Sequence, residues 1–166
     1  MMGAPRSTHF KNEGEPVATT PRIRLTGVLI EDSRLLLVQE VLRERSHWNL
    51  PGGGLELGET IEAGLLREMR EETGLIVRID ELLYITDRFK TLGHHVVDLC
   101  FRVRRTGGAF EERQTTDGCG ETIPQIQMVP LDELEAYGLS STFATLVRSG
   151  FPSKGSYAGD FHALYG

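Results

Sequence analysis

The chain has 166 residues, of which 39% are hydrophobic and 25% charged, and this predicts one globular, soluble domain. Its 24 acidic and 18 basic side chains give a net charge of -6, which argues against a protein that binds nucleic acid through a basic surface. No apolar run approaches the roughly 20 residues that span a bilayer, and the N-terminus lacks the apolar core of a secretory signal, so we expect a cytoplasmic protein without a membrane partner.

The N-terminal part of the chain predicts a flexible arm followed by a β-hairpin. Residues 1–21 mix Gly, Pro, Thr, Ser and Glu without an apolar period, which is typical of a loose arm. Two β-rich runs at 22–30 and 34–40 flank a turn-prone trio and predict the hairpin. Residues 48–50 then lead into a glycine loop at 51–54, whose glycines permit backbone angles closed to other residues.

A helix is predicted from about residue 60 to Thr73. Ile61, Leu65 and Met69 recur at four-residue spacing and therefore share one face of the helix. Gly74 follows as a C-terminal cap, because glycine adopts the left-handed conformation without steric cost.

The second half of the chain predicts a mixture of strands and short helices. A polar loop runs from about 111 to 122, and Pro130 is expected to open a helix. The tail from residue 150 is rich in glycine and aromatic residues, and we expect it to pack onto the domain or onto a second subunit. The predicted strands are 75–86, 95–104 (with Gly107-Gly108 as the break) and 123–129, and the predicted helices are 131–137 and 140–147.

Three carboxylates share one arc of the predicted helix, since a helix advances about 100° per residue. Glu68, Glu71 and Glu72 lie beside the apolar stripe, so they should be partly shielded from water. Each like-charge pair costs about 0.2–0.5 kcal/mol, which Arg67 and Arg70 offset in part. The arc suits either a solvated helix with ion pairs or a site for a hard divalent cation, which prefers several oxygen ligands.

The stretch from Gly53 to Leu75 resembles the signature of the Nudix hydrolases, the Nudix box, at every defined position. The lead-in at 48–53 and the segment 129–134 are also similar to parts of that family, so the resemblance spans about 22–147. The matching residues are Gly53, Glu59, Arg67, Glu68, Glu71, Glu72 and Gly74, with Met69 and Leu75 at the two apolar positions.

The resemblance implies an α/β fold, an α/β/α sandwich around a mixed sheet, with the domain over 22–149 between the arm 1–21 and the tail 150–166. It also implies a pyrophosphohydrolase that uses Mg²⁺ or Mn²⁺ to cleave a diphosphate linkage in a small nucleotide. A nucleoside diphosphate linked to another group, such as ADP-ribose or a nucleotide sugar, is favoured over a nucleoside triphosphate. None of the subfamily markers that we recognise occurs in the chain.

The resemblance also assigns roles to individual box residues. Glu68 and Glu72 correspond to principal metal ligands, Glu71 assists directly or through water, and the carbonyl of Gly53 is a further ligand. Glu59 and Arg67 correspond to positions that support the geometry of the loop and helix.

The general base and the substrate contacts are left open by the resemblance, because family members differ in both. The base is a box glutamate, Glu68 or Glu71, or an acid of the later polar loop. Arg88, Phe89 and His95 are candidates for substrate binding. The loop acids are Glu111, Glu112 and Glu121, of which Glu121 is preferred for its place just before a predicted strand.

Two other functions fit the same fold. An isopentenyl diphosphate isomerase needs a reactive cysteine, and we interpret Cys100 and Cys119 as ordinary thiols. A nucleotide-sensing module commonly loses box carboxylates and carries a second domain, whereas all the box carboxylates are present here and we predict one domain. Either the arm or the tail could support a homodimer.

Overall fold

The computed structural model describes residues 20–42, 45–89, 95–109 and 125–165. Within these ranges no helix has the length and apolar character needed to cross a membrane. The strands are β1 (Arg22–Glu31), β2 (Arg34–Leu42), β3 (Arg45–Asn49), β4 (Gly52–Gly54), β5 (Leu75–Phe89), β6 (His95–Gly108), β7 (Ile126–Pro130) and β8 (Ser156–Asp160). The α-helices are α1 (Ile61–Thr73), α2 (Ser141–Arg148) and α3 (Phe161–Tyr165), and a 3-10 helix covers Leu134–Tyr137.

Strand β1 is the centre of a mixed sheet with the order β3-β2-β1-β6-β5-β8. It runs parallel to β6 and antiparallel to β4. It joins β2 through a tight hairpin in which Asp32 and Ser33 both have positive φ, as a two-residue turn requires. Strand β5 is antiparallel to β6 and parallel to β8, and β2 is antiparallel to both β3 and β7.

Alternating residues of the central strands supply two separate cores. Leu25 and Leu29 of β1 pack with Leu65 and Met69 of α1 on one face of the sheet. Val28 packs on the opposite face, against a core built by α2, α3 and the 3-10 helix. Helices therefore cover both faces of a mixed sheet, and the predicted α/β/α sandwich is confirmed.

Helix α1 and its C-terminal glycine cap occur where the sequence predicts them, with one correction to the buried face of the helix. Thr60 accepts a hydrogen bond from the Ala63 amide at 3.1 Å, and Gly74 ends the helix at φ 73°. Ile61 was expected in the core, but it is 41% exposed. Gly64 is buried in the helix interface instead. A Cβ at this position would lie 2.9 Å from Leu25 and 3.0 Å from Leu55, so the lack of a side chain lets the helix pack closely.

Several strands are longer than predicted, because pairing with a neighbouring strand overrides local propensity. Strand β6 continues through Gly107 and Gly108, which pair with Ile76 and Leu75 of β5, so these glycines do not break it. Strand β2 extends to Leu42. Strand β3 pairs with its edge, although residues 48–50 are predicted only as a segment that leads into the glycine loop.

The segment around Pro130 also differs from the prediction. Pro130 ends β7 by pairing with Arg34, and it does not open an α-helix. The following turn is a 3-10 helix, which Gly138 terminates at φ 86°. Strand β7 begins at Ile126, and residues 123–124 lie outside the described ranges.

The aromatic tail packs onto the domain in this structure. Strand β8 extends the sheet beside β5, and Phe151 and Leu164 are buried in the core that includes α2. The Ser140 hydroxyl donates to the Leu164 carbonyl at 2.6 Å, and the rings of Phe143 and Tyr165 stack at 4.8 Å. The tail is therefore a structural part of the sandwich.

Replacing Phe151 with alanine should lower the free energy of unfolding by about 3–5 kcal/mol, since a ring that is only 2% exposed leaves a cavity beside Tyr84. Tyr157→Ala is the matched control, because Tyr157 is an aromatic residue of the same tail and is 65% exposed. Its cost should be about 1 kcal/mol or less. Urea denaturation measures both, and equal losses would contradict a core role for the tail.

Candidate active site

The glycine strand β4 lies very close to β1, because its residues have no side chains to keep the two backbones apart. Gly52 has φ 146°, and a Cβ at this position would lie 2.1 Å from the Leu25 carbonyl oxygen. The Gly27 amide donates to the Pro51 carbonyl at 2.9 Å and fixes the start of the loop. Because β4 also contacts α1, its backbone forms one wall of a site whose other wall is the acidic arc of the helix.

Glu72 is bound directly to this glycine backbone. Its Oε2 accepts a hydrogen bond from the Gly52 amide at 2.7 Å. Burial raises the pKa of the Glu72 carboxyl to about 7, although the Gly52 hydrogen bond and the charge of Arg24 lower it. The charges of Glu68 and Glu40 raise this pKa further. Glu72 is therefore a shielded carboxylate whose charge would be stabilised by a nearby cation.

Glu68 occupies the space above Gly53. A Cβ on Gly53 would lie 2.3 Å from the Glu68 Cδ and 2.4 Å from each of its carboxylate oxygens. Any larger residue at position 53 would displace this carboxylate. The glycine strand thus brings Glu68 and Glu72 to the same short stretch of backbone.

Arg67 joins the loop to the helix. Its Nε and Nη2 donate to Glu59 at 2.8 and 2.9 Å, and Nη2 also donates to the Gly54 carbonyl at 3.1 Å. The hydrogen bonds from Arg67 are the main cause that lowers the pKa of Glu59 to about 2, and they raise the pKa of Arg67 in turn. This bidentate pair is geometrically specific, since the planar guanidinium matches the carboxylate.

Arg67 also holds two of the acids assigned as ligands. Its Nη1 lies 2.8 Å from Glu68 and 3.2 Å from Glu71, whose side chain is 60% exposed. Among the described residues, no three His, Cys, Asp or Glu side chains are gathered closely enough to hold a metal ion. The donors nevertheless fit Mg²⁺ or Mn²⁺, because carboxylate oxygens and the Gly53 carbonyl are hard ligands and a cation would stabilise the charge of the half-buried Glu72. Glu71 would have to turn from Arg67 to join them.

A pocket begins at Thr26, which pairs in the sheet with Gly52, the residue whose amide binds Glu72. The Asp98 carboxyl in this pocket accepts a hydrogen bond from Thr26 at 2.7 Å, and burial raises its pKa. The lining residues are Arg24, Thr26, Glu40, Asn49, Leu50, Arg88, Asp98, Phe161 and Tyr165. The sheet and α3 therefore line a polar pocket.

The structure separates the residues proposed for substrate binding. Arg88 lines the pocket, but Phe89 is 62% exposed and is not among the lining residues, because neighbouring strand residues point to opposite faces. His95 lies 3.2 Å from Asp87 and contacts the Phe89 ring, also away from the pocket. The loop acids Glu111, Glu112 and Glu121 lie outside the described residues.

Some pocket residues were not identified from the sequence. Arg24 and Thr26 alternate with apolar residues in β1, and this alternation is a signal that one face of the central strand is polar. Asp98 carries no comparable signal, because its pairing with Arg24 brings it to the pocket, and no pattern in the sequence marks Glu40. Phe161 comes from the tail, whose fold was not predicted.

Cys100 lies on the core side of β6, and its surroundings do not favour reactivity. Its side chain is fully buried, and burial raises the pKa of the thiol above its usual range. This disfavours the isomerase alternative for Cys100, and Cys119 lies outside the described residues.

Comparisons with known proteins agree with these features. The family model described as NUDIX domain matches residues 21–148. The chain is 38% identical over 112 residues to the 8-oxo-dGDP phosphatase NUDT18 of Homo sapiens, covering 63% of the chain and 33% of that protein. It is 32% identical over 93 residues to an ADP-ribose pyrophosphatase of Methanocaldococcus jannaschii, covering 55% of each. The chain thus spans between 33% and 58% of the length of the first curated relatives that it matches.

A solved structure shows the same fold. The crystal structure of an ADP-ribose pyrophosphatase from Streptococcus suis superposes with a TM-score of 0.58 at 22% identity. The match covers 85% of this chain and all of that one.

Gly53→Ala should weaken Mn²⁺ binding by about 10-fold or more, because the added methyl group would displace the Glu68 carboxylate. Gly54→Ala is the control, since a Cβ there would meet only Arg22 at 3.4 Å. Isothermal titration calorimetry with MnCl₂ measures both affinities. Equal affinities for the two variants would contradict a role for Glu68 as a ligand.

Glu72→Gln should make the metal-free protein more stable above pH 7 and leave its stability nearly unchanged below about pH 4.5. A raised carboxyl pKa means that the folded state binds more protons than the unfolded state between pH 4.5 and 7, so this group lowers stability as pH rises through that window. The gain is at most about 3 kcal/mol. Thermal unfolding in EDTA across the pH range tests this, and an equal pH slope in both proteins would contradict it.

Proposed function

Because the chain belongs to the NUDIX domain family, we propose that it is a pyrophosphohydrolase that uses Mg²⁺ or Mn²⁺ to cleave a diphosphate linkage in a small nucleotide. The observation that carries this proposal is the convergence of Glu68 and Glu72 on the glycine backbone at Gly52 and Gly53. Gly52 pairs with Thr26 of β1, which lines a pocket that also contains Arg24 and Arg88.

The chemistry requires charge neutralisation and a proton acceptor. A diphosphate resists attack because its oxygens repel a nucleophile, and a divalent cation would neutralise that charge and favour ionisation of the attacking water. Glu68, Glu72 and the Gly53 carbonyl would hold the cation, with Glu71 assisting. The hydrogen bond from Gly52 fixes Glu72, while the Glu59–Arg67 pair supports the loop against the helix.

Glu71 is the box glutamate best suited to accept the proton. Its carboxylate is 60% exposed at the edge of the acidic arc, so water can reach it, whereas the half-buried Glu68 carboxylate lies above Gly53. Glu68 and the loop acid Glu121 stay as alternatives for the base. Cleavage would yield a nucleoside monophosphate and a phosphorylated remainder.

For the substrate, we favour ADP-ribose or a nucleotide sugar. The name of the Methanocaldococcus relative supports this choice, although the match covers only 55% of that protein. The pocket supports it as well, because the Glu40 and Asp98 carboxylates could accept hydrogen bonds from ribose hydroxyls while the arginines bind phosphate. The second candidate is a nucleoside diphosphate, as the name of NUDT18 suggests, and a nucleoside triphosphate comes next.

Glu72→Gln should reduce turnover by about 100-fold or more, because it removes a charged ligand while keeping an acceptor for the Gly52 amide. Glu62→Gln is the matched control, since Glu62 lies in the exposed first turn of the same helix. The assay is phosphate release, coupled to a phosphatase, from a panel of ADP-ribose, nucleotide sugars and nucleoside di- and triphosphates with Mg²⁺ or Mn²⁺.

Retained turnover in the Glu72 variant would refute its assignment as a ligand. Binding of a nucleotide by the native chain without hydrolysis of any compound in the panel would favour a nucleotide-sensing module over an enzyme.

A further inference from the structure

The tail contributes to the pocket although it lies beyond the family match, which ends at residue 148. Phe161 and Tyr165 of α3 line the pocket opposite the polar strands. Helix α3 is held in place by β8, which pairs with β5, and by the hydrogen bond from Ser140 to the Leu164 carbonyl. This wall of the pocket therefore comes from residues outside the matched range 21–148.

A continuous stack connects the core to the pocket. Phe143 is fully buried and stacks on Tyr165 at 4.8 Å, and Tyr165 stacks on Phe161 at 4.2 Å with an interplanar angle of 17°. The Arg88 guanidinium lies over the Phe161 ring, 4.8 Å from its centroid. The cation of Arg88 thus ends a row of rings that begins in the core.

Arg88 and Arg24 are the half-buried arginines that have no ion pair within the described ranges. The other two half-buried arginines there, Arg67 and Arg102, each contact a glutamate at 2.8 or 3.0 Å. The charges of both arginines act on the buried Asp98 carboxyl in the same pocket, but neither forms a direct ion pair with it. A bound anion would supply a direct partner for a partly desolvated guanidinium. Both arginines line the same pocket, so one anionic ligand there can contact two guanidinium groups.

We propose that Arg88 binds the diphosphate group of the substrate and that Phe161 is the positioning residue that holds its guanidinium in the pocket. The inference rests on the proposed function for the identity of the anion. The ring of Phe161 restricts the long Arg88 side chain, so fewer rotamers are lost when the anion binds. The tail thereby acts on substrate affinity through a residue of β5.

The test measures binding of α,β-methylene-ADP, whose bridging carbon prevents cleavage, by isothermal titration calorimetry with Mg²⁺. We expect Arg88→Met and Phe161→Ala each to weaken binding by about 10-fold, as loss of one charge-assisted contact implies. In the double variant, Phe161→Ala should add no further loss, because the ring acts through Arg88. Phe161→Tyr keeps the ring and should restore native affinity.

Two controls separate this role from a general structural one. Tyr157→Ala removes an exposed aromatic residue of the tail that does not line the pocket, and it should leave the affinity unchanged. Adenosine carries no phosphate, so its binding should not depend on Arg88. Thermal unfolding of every variant reports whether the sandwich is intact.

Additive losses in the double variant, or native affinity in Phe161→Ala, would overturn the positioning role. An equal loss of adenosine binding in Arg88→Met would overturn the assignment of the anion and indicate stacking on a base instead. Hydrolysis of the panel with no dependence of binding on Arg88 would overturn this inference alone. Binding that depends on Arg88 without any hydrolysis would overturn the proposed function alone.

Discussion

The hydrogen bond from the Gly52 amide to Glu72 is the contact on which the site depends. It ties the acidic arc of α1 to a strand with no side chains, and that strand is in turn paired with the centre of the sheet. A half-buried carboxylate is unfavourable without such a donor, and the bond compensates only part of the effect of burial on the pKa of Glu72. The site thus keeps a carboxylate in a position that a cation would stabilise.

The Glu59–Arg67 pair and the glycines act together in maintaining this arrangement. Arg67 contacts the Gly54 carbonyl of β4, the Glu59 carboxylate of the loop and the Glu68 carboxylate of the helix, so it ties the three segments together. Gly53 leaves the space that the Glu68 carboxylate fills. The β4 backbone and the carboxylates can therefore approach each other closely, because the glycines have no side chains and the planar guanidinium of Arg67 binds the carboxylates.

The pocket differs from the acidic arc in how it is built. The arc comes from one helix, whereas the pocket takes Arg24, Asp98 and Arg88 from three neighbouring strands and Phe161 from the tail. Its polar face is the continuation of the sheet surface beyond the core that buries Phe143 and Leu164. The tail is consequently involved both in stability and in the shape of the pocket.

The sequence by itself determined α1, its cap at Gly74 and the spacing of Glu68, Glu71 and Glu72, because helical geometry is local and repeats every few residues. It also determined the family and the sandwich fold, since the box is contiguous. Only the tertiary structure decided that Gly107 and Gly108 continue a strand, that Ile61 is exposed and that Phe161 reaches Arg88. These features arise from contacts between residues far apart in the chain, and no local pattern encodes the pairing that brings them together.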